Sequence, residues 1–384
     1  MERIEPAVQA YPWGSRTRIA ELLGQPTPSP RPQAELWFGA HPSAPSTVGG
    51  RPFTEVLADD PAGQLGFEGE LPFLLKVLAA DAPLSLQAHP TLEQARAGYQ
   101  AEDAAGVPLT APQRNYRDPN HKPELLIALT QFDALAGFRP VEQTRELFAE
   151  LAIPELDHYT VVLDDDEGLR CLFATWLTLP GRVLGELVET VRQRCAEYTG
   201  GGWIGEVAKT TAAIAKRYPG DSGVLAAMLL NRVSLQPGQA IFLAAGHLHA
   251  YLGGMGVEIM ASSDNVLRGG LTSKHVDVVE LLRVLTFSTV ADPVIDPECE
   301  GQLCHYPTPV GEFEISSARV GQGHTVTASG PAMVLVTEGE ARIGATQTSQ
   351  GQAMWLPHGE SAGVTALGSA QVFIATIPKG YSAA

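Results

Sequence analysis

The sequence predicts a mainly β protein with a helical insertion: two related β-sandwich or barrel units, the first interrupted by an α-helical segment. Three observations carry this. Short apolar runs broken by turns dominate both ends of a 384-residue chain that holds 39 glycines and 29 prolines, and so much turn chemistry suits short strands. Between 141 and 230 the apolar period changes to that of helices, with stripes such as Leu184, Leu187, Val188, Val191 and Cys195. Finally, GQAIFLAAG at 238–246 is echoed by GQAMWLPHG at 351–359 in length, glycines and apolar pattern, so one strand–turn–strand unit occurs twice. The expected division is a first β unit at 1–140 and 231–290, a helical domain at 141–230, and a second β unit at 291–384.

Composition narrows the function. A hydrophobic share of 44% with 18% charged residues describes a soluble globular protein. The net charge of −17 argues against nucleic acid or an anionic membrane as partner, so an anionic substrate needs a local cluster of Arg and Lys. Four scattered cysteines without a CxxC pair do not make a disulfide framework and lead us to expect a reducing compartment. The N-terminus lacks the apolar core of a signal peptide, and no run approaches the ~18 apolar residues of a membrane span. These features predict a cytoplasmic location.

In chain order, residues 1–60 give short mixed segments, a helical turn near Ile19, and His41 in a loop before a proline. PFLLKVL at 72–78 reads as a buried strand interrupted by Lys76. Such a charge either snorkels from an edge strand or faces a polar, anion-binding cavity. In LSLQAHP, 84–90, the alternation puts Ser85, Gln87 and His89 on one face. A short polar helix and loop fill 91–115. Pro119 and Pro123 then stiffen the backbone around Asn120, His121 and Lys122, and Glu124 opens a buried strand. After the helical segment, Thr272 is the expected N-cap of a helix through Leu285, with Val276, Val279, Leu282, Val284 and Leu285 available to a core. Residues 290–310 read as a proline-rich linker, and the remainder as short strands and turns.

The chemistry concentrates in 238–280, where His247 and His249, Glu258, and then Arg268, Lys274 and His275 follow one another. The candidate metal ligands by residue type are His89, His121, Glu124, His247, His249 and Glu258. Two or three histidines with one carboxylate and an open position form the pattern of a catalytic zinc or related site. In the second copy of the repeat, Ala362 stands where the first has His249, so only the first copy is a candidate site.

The segments YPWGSRTRIAELLG, AELWFGAHP, LSLQAHP, DPNHKPEL, FDALAGFRP, AGHLHAYLGG and EIMASSDNVLRGGLTSKHVDV resemble the type I phosphomannose isomerases over roughly the first three quarters of the chain. The resemblance implies two cupin-like β jelly-roll units and an α-helical domain. It also implies one Zn2+ per chain, held by Gln87, His89, Glu124 and His249, with Arg268 as the catalytic arginine. Lys76, Ser85 and Lys274 match positions at the substrate's phosphate end, and Lys122, Tyr251 and Glu258 match others of the cavity. The implied reaction interconverts mannose 6-phosphate and fructose 6-phosphate through an enediol. That chemistry needs a base near C2 and positive charge beside the developing enediolate. Lys122, Glu258 or a water at the metal are the candidates for the base. Where cupin-like folds often have a proline, this chain has Ala244. A sugar phosphate is the expected partner, and a monomer the expected state. Two other readings are an iron-dependent cupin oxygenase and a non-catalytic sugar-phosphate-binding protein. Lys76, Arg268 and Lys274 speak against the first, and the complete set of ligands and Arg268 against the second.

Overall fold

Two eleven-stranded antiparallel sheets organise the protein, whose computed structural model describes residues 1–381. The last three residues of the expected second β unit, 382–384, lie outside the described residues. The main path of the first sheet runs Val294–Ile295, Ala240–Leu243, Glu124–Ala128, His249–Ala261, Phe73–Ala80, Glu35–Phe38 and Ala7–Gln9. Phe73–Ala80 is buried at every position because it has a strand on each side and both faces covered, which is why its sequence is continuously apolar rather than alternating. Lys76 therefore sits in an interior strand, and snorkelling from an edge is excluded.

The thirteen-residue strand His249–Ala261 serves two partner sets. Its first part pairs with Phe132–Phe138 and meets Gln87, and its second part lies between Phe73–Ala80 and Glu124–Ala128. The change falls at a register shift between Tyr251 and Gly253. Here Gly254 adopts φ 128, and a Cβ on it would lie 2.7 Å from the Gln131 carbonyl oxygen. Only glycine lets one strand turn this barrel corner.

The helices from Val141–Leu151 to Gly223–Ala227 bury the stripes read from the sequence, including Leu169, Leu172, Phe173 and Trp176, and Leu187, Val188, Val191 and Cys195. The same core takes in Leu86 and Ala88, Leu248 and Ala250, and Leu267. Side chains alternate along strands. The helices therefore back the outer face of the strands whose inner face carries Gln87, His249 and Arg268.

The second sheet comprises the C-terminal strands together with Glu2–Glu5, Thr47–Val48 and Arg51–Pro52. The N-terminal strand pairs with Ala353–Leu356, so these early segments lie in the second sheet rather than in the first unit, where 1–140 was expected to fall entire. Ile4, Phe53, Trp355 and Phe373 share one core with Leu75, Val77, Leu125 and Val257, which welds the units together. The echoed segments match in backbone: Ala240–Leu243 and Ala353–Leu356 are flanked by Gly238, Gly246, Gly351 and Gly359, all at positive φ between 77 and 94.

Three local expectations are corrected. The helix after the site is Val278–Val284, capped by Asp277, whose carboxylate accepts the Glu280 N–H at 3.0 Å. Thr272 instead accepts the Lys274 N–H in a turn, and Val279 faces solvent at 80% exposure while Leu281 and Val284 enter the core. Residues 290–310 are not a bare linker: they form Val294–Ile295 and the hairpin Glu298–Glu300 with Leu303–Tyr306. That hairpin sets Cys299 directly opposite Cys304 and joins them in a disulfide, a pairing that the scattered cysteines did not lead us to expect. Cys171 and Cys195 stay free.

Candidate active site

Adjacent strands place three of the expected residues in one row. Gln87 pairs in register with His249 on one side and with Arg268 on the other. His89 follows two residues on, so it shares the face of Gln87, and its carbonyl accepts the Gly246 N–H at 2.8 Å, tying it to the turn before His249. Glu124 enters from the start of its own strand, opposite Met260. His89, Glu124 and His249 are all buried, and their ligand atoms lie within 4.8 Å of one another.

The histidines are oriented for a cation. His89 donates from Nδ1 to the Asn265 carbonyl at 2.7 Å, and His249 from Nδ1 to the His247 carbonyl at 3.0 Å. Each Nε2 is thereby left as an acceptor, 3.5 Å from one oxygen of Glu124. The Nε2 of His89 is buried without a hydrogen-bond partner. Lone pairs that face a carboxylate at this distance call for a positive ion between them. A donor set of two imidazoles and one carboxylate fits a divalent metal with donor distances of about 2.0–2.2 Å after a small contraction. Burial holds the His89 imidazole below its ordinary pKa, which favours the neutral, ligating form. Burial works to raise Glu124, but the Lys122 ammonium, whose Nζ lies 3.0 Å from Oε1, opposes it, and the carboxyl is held well below its ordinary value.

Below this centre lies a buried ionic layer. Lys76 Nζ is 2.9 Å from Glu258 Oε2 and 3.9 Å from Glu35 Oε1. Trp37 Nε1 donates to Glu35 Oε2 at 2.7 Å, and Tyr251 donates its hydroxyl proton to Glu258 Oε1 at 2.8 Å. Burial lowers the Lys76 pKa, but Glu258 and Glu35 overcome it and hold the ammonium above its ordinary value. Tyr251 and Glu258 stand seven residues apart on one strand, roughly 23 Å if it were straight. The bend at Gly254 is what lets them touch.

A third group is cationic. Burial and the neighbouring Arg117 push Arg268 down, and burial, Arg268 and Arg117 push Lys274 down. The charges that bear on these two residues are all positive, in a protein of net charge −17. Such a cluster is a ready seat for an anion.

The remaining candidates separate. His121 turns away from the centre and pairs with Glu312 of the second unit at 2.6 Å. His247 contributes its backbone carbonyl, and Glu258 belongs to the ionic layer. His41 contacts Asp264 at 3.2 Å and packs against Trp37. Ser85 is half-buried on the face of Gln87, just outside the strand Leu86–Ala88. Sequence reasoning missed Glu35, Arg117 and Asn265. A second charge inside an apolar run, AELWF beside PFLLKVL, was the available signal for Glu35. Asn265 is fully buried; its carbonyl holds His89, its Oδ1 accepts the Arg117 N–H at 2.7 Å, and its Nδ2 donates to the Asp118 and Asn120 carbonyls. It locks the segment leading to Lys122 and Glu124 against the metal ligand.

A double β unit of cupin type with a buried two-histidine, one-carboxylate centre beside a cation cluster defines a metal-site protein built for a small anionic ligand. Residues 1–141 match the catalytic-domain model of type I phosphomannose isomerase. The mannose-6-phosphate isomerase of Escherichia coli K12 is 38% identical, with 95% of each chain covered. A mannose 6-phosphate isomerase structure from Salmonella typhimurium, solved with substrate (f6p) and a zinc atom bound, superposes with a TM-score of 0.90 at 33% identity, covering 98% of this chain and 99% of that one. A zinc-bound holo structure of a mannose 6-phosphate isomerase matches to the same extent. The chain belongs to the type I phosphomannose isomerase family.

Proposed function

We propose that this protein is a zinc-dependent aldose–ketose isomerase that interconverts D-mannose 6-phosphate and D-fructose 6-phosphate. The observation that carries the reading is the juxtaposition, through Gln87 in register with both His249 and Arg268, of the buried His89–Glu124–His249 centre with the cations Arg268, Arg117 and Lys274. Those three residues, with the Gln87 amide oxygen beside His249, would hold the metal. A zinc ion there supplies a Lewis acid for the oxygens on C1 and C2 of the open-chain sugar.

The chain's own residues do the rest. Arg268, in register with Gln87, presents planar donors to the developing enediolate. Arg117 and Lys274 hold the phosphate, with Ser85 at the same end, and that remote anchor aligns the reacting carbons. Lys122, once its ammonium has released one proton to solvent, takes the proton from C2 at the free amine Nζ and returns it to C1, so the reaction consumes no co-reactant. Both oxygens of Glu258 are engaged by Lys76 and Tyr251, which makes it a wall that positions these two rather than a free base. Lys76 serves the phosphate end only indirectly, since Glu258 and Glu35 take up its charge. The same reading makes the protein a cytoplasmic monomer, to be checked by fractionation and sedimentation. A coupled assay with mannose 6-phosphate, with and without a chelator, tests the proposal: chelator-sensitive turnover is expected, and a zinc-loaded protein without isomerase activity overturns it.

A further inference from the structure

Asp221 belongs to the helical segment, just before the short helix Gly223–Ala227, and the chemistry above gives it no part. Its carboxylate accepts three backbone N–H groups: Oδ1 takes those of Gly223 at 2.7 Å and Leu271 at 2.9 Å, and Oδ2 that of Thr272 at 3.2 Å. Leu271 and Thr272 form the turn that joins Arg268 to Lys274. Leu271 stands at φ 55, in the left-handed region, a conformation that a leucine keeps only where its surroundings over-determine it.

Two features do so here. The carboxylate gathers successive N–H groups into a nest, and the backbones of Gly223 and Gly270 press together. A Cβ on Gly223 would lie 2.6 Å from the Leu271 nitrogen, and one on Gly270 would lie 2.5 Å from the Gly223 Cα. Beyond the nest, the Lys274 N–H donates to Thr272 Oγ1 at 3.0 Å, so the pinned turn passes directly into the lysine. The negative charge of Asp221 is directed at backbone donors, and it is not among the charges that bear on Arg268 or Lys274.

We propose that Asp221 is a positioning residue for the phosphate end of the site: it pins the turn and thereby sets where Lys274 stands relative to Arg268. The helical segment thus takes part in substrate recognition through one carboxylate. The inference rests on reading Arg117 and Lys274 as the phosphate seat, with Arg268 beside it at the enediolate.

The test is steady-state kinetics of the zinc-loaded, full-length protein on mannose 6-phosphate. Asp221→Ala is expected to raise KM roughly tenfold while kcat changes less than about threefold, the pattern of lost uniform binding. Asp221→Asn keeps an acceptor for Leu271 and Gly223, and is expected to recover most of the loss. The double variant Asp221→Ala/Lys274→Ala should bind no worse than Lys274→Ala alone, because both act through one group. Leu187→Ala, which loosens the helical core while leaving the three hydrogen bonds of Asp221 in place, is expected to lower the melting temperature and leave KM within about twofold of wild type. A normal KM in Asp221→Ala, or losses that add in the double variant, overturns the inference. An inactive wild type would instead overturn the isomerase reading, and a normal KM in Lys274→Ala the phosphate seat.

Discussion

Replacing Lys76 by methionine, which keeps the aliphatic stem and removes the charge, separates two readings of this residue. If Lys76 waits for a phosphate, it is a buried cation, and its removal relieves the protein. The structure instead shows it 6% exposed and ion-paired with Glu258 and, at longer range, Glu35. Removing one partner of such a group leaves buried carboxylates without a counter-ion, at a cost of about 3–5 kcal/mol. The sign of the pH dependence follows from Glu35. Burial already raises its pKa, and Lys76 is the largest influence that lowers it. Without Lys76 it rises further. A carboxyl group raised in the folded state destabilises fully above its folded pKa, and the penalty fades as pH falls towards the unfolded value of about 4.3. The deficit of Lys76→Met is therefore largest at alkaline pH and shrinks on acidification. For one additional proton bound between pH 8 and pH 6, it narrows by at most about 2.7 kcal/mol. Urea unfolding followed by tryptophan fluorescence at the two pH values measures this, and Lys76→Met/Glu258→Gln should recover part of the loss. A Lys76→Met protein as stable as wild type at pH 8, or a deficit that grows on acidification, refutes the argument.

Two further outcomes are expected. Dialysis against a chelator should lower the melting temperature and added zinc restore it, by about 2.7 kcal/mol at a hundredfold excess over Kd, whereas His89→Ala should no longer respond in thermal melts. Glu312→Ala removes the carboxylate that grips His121 beside Lys122, and kcat is expected to fall by about tenfold with bound zinc unchanged; equal kcat in a stopped assay would show that the second unit does not steady this segment.

Much of this site was legible because its residues break local patterns. A lysine inside FLLKVLA and a Ser–Gln–His row in an otherwise apolar alternation are costly unless they are paired or face a polar site; the structure pairs Lys76 with Glu258 and Glu35 and sets Gln87 in register with His249 and Arg268. The helical stripes were equally plain, since their periodicity is local. What was not legible depends on meetings between distant segments. Glu35 has meaning only once its strand is aligned with that of Lys76, where Trp37 is the registered partner. Asn265 and Asp221 act on the backbone of other segments, which leaves no mark on their own surroundings in the sequence. The true helix start at Asp277 was missed because Thr272 offers the same capping chemistry, and the tertiary pull of Asp221 on its N–H decided between them. The Cys299–Cys304 pairing needed the hairpin, which the prolines around it disguised as a linker.

The bent strand His249–Ala261 has a consequence for how the protein comes into being. His89 and Glu124 precede the helical segment in the chain, and His249 follows it. The metal centre therefore closes only after the intervening chain has folded back upon the first strands, a long-range contact that comes late by its topology. Because one continuous strand carries His249 at one end and Glu258 near the other, the slip of a single residue would turn both side chains out of the cavity together. Nascent molecules therefore either possess the whole constellation or lack it, and zinc capture during refolding would report completion of the fold in a single event.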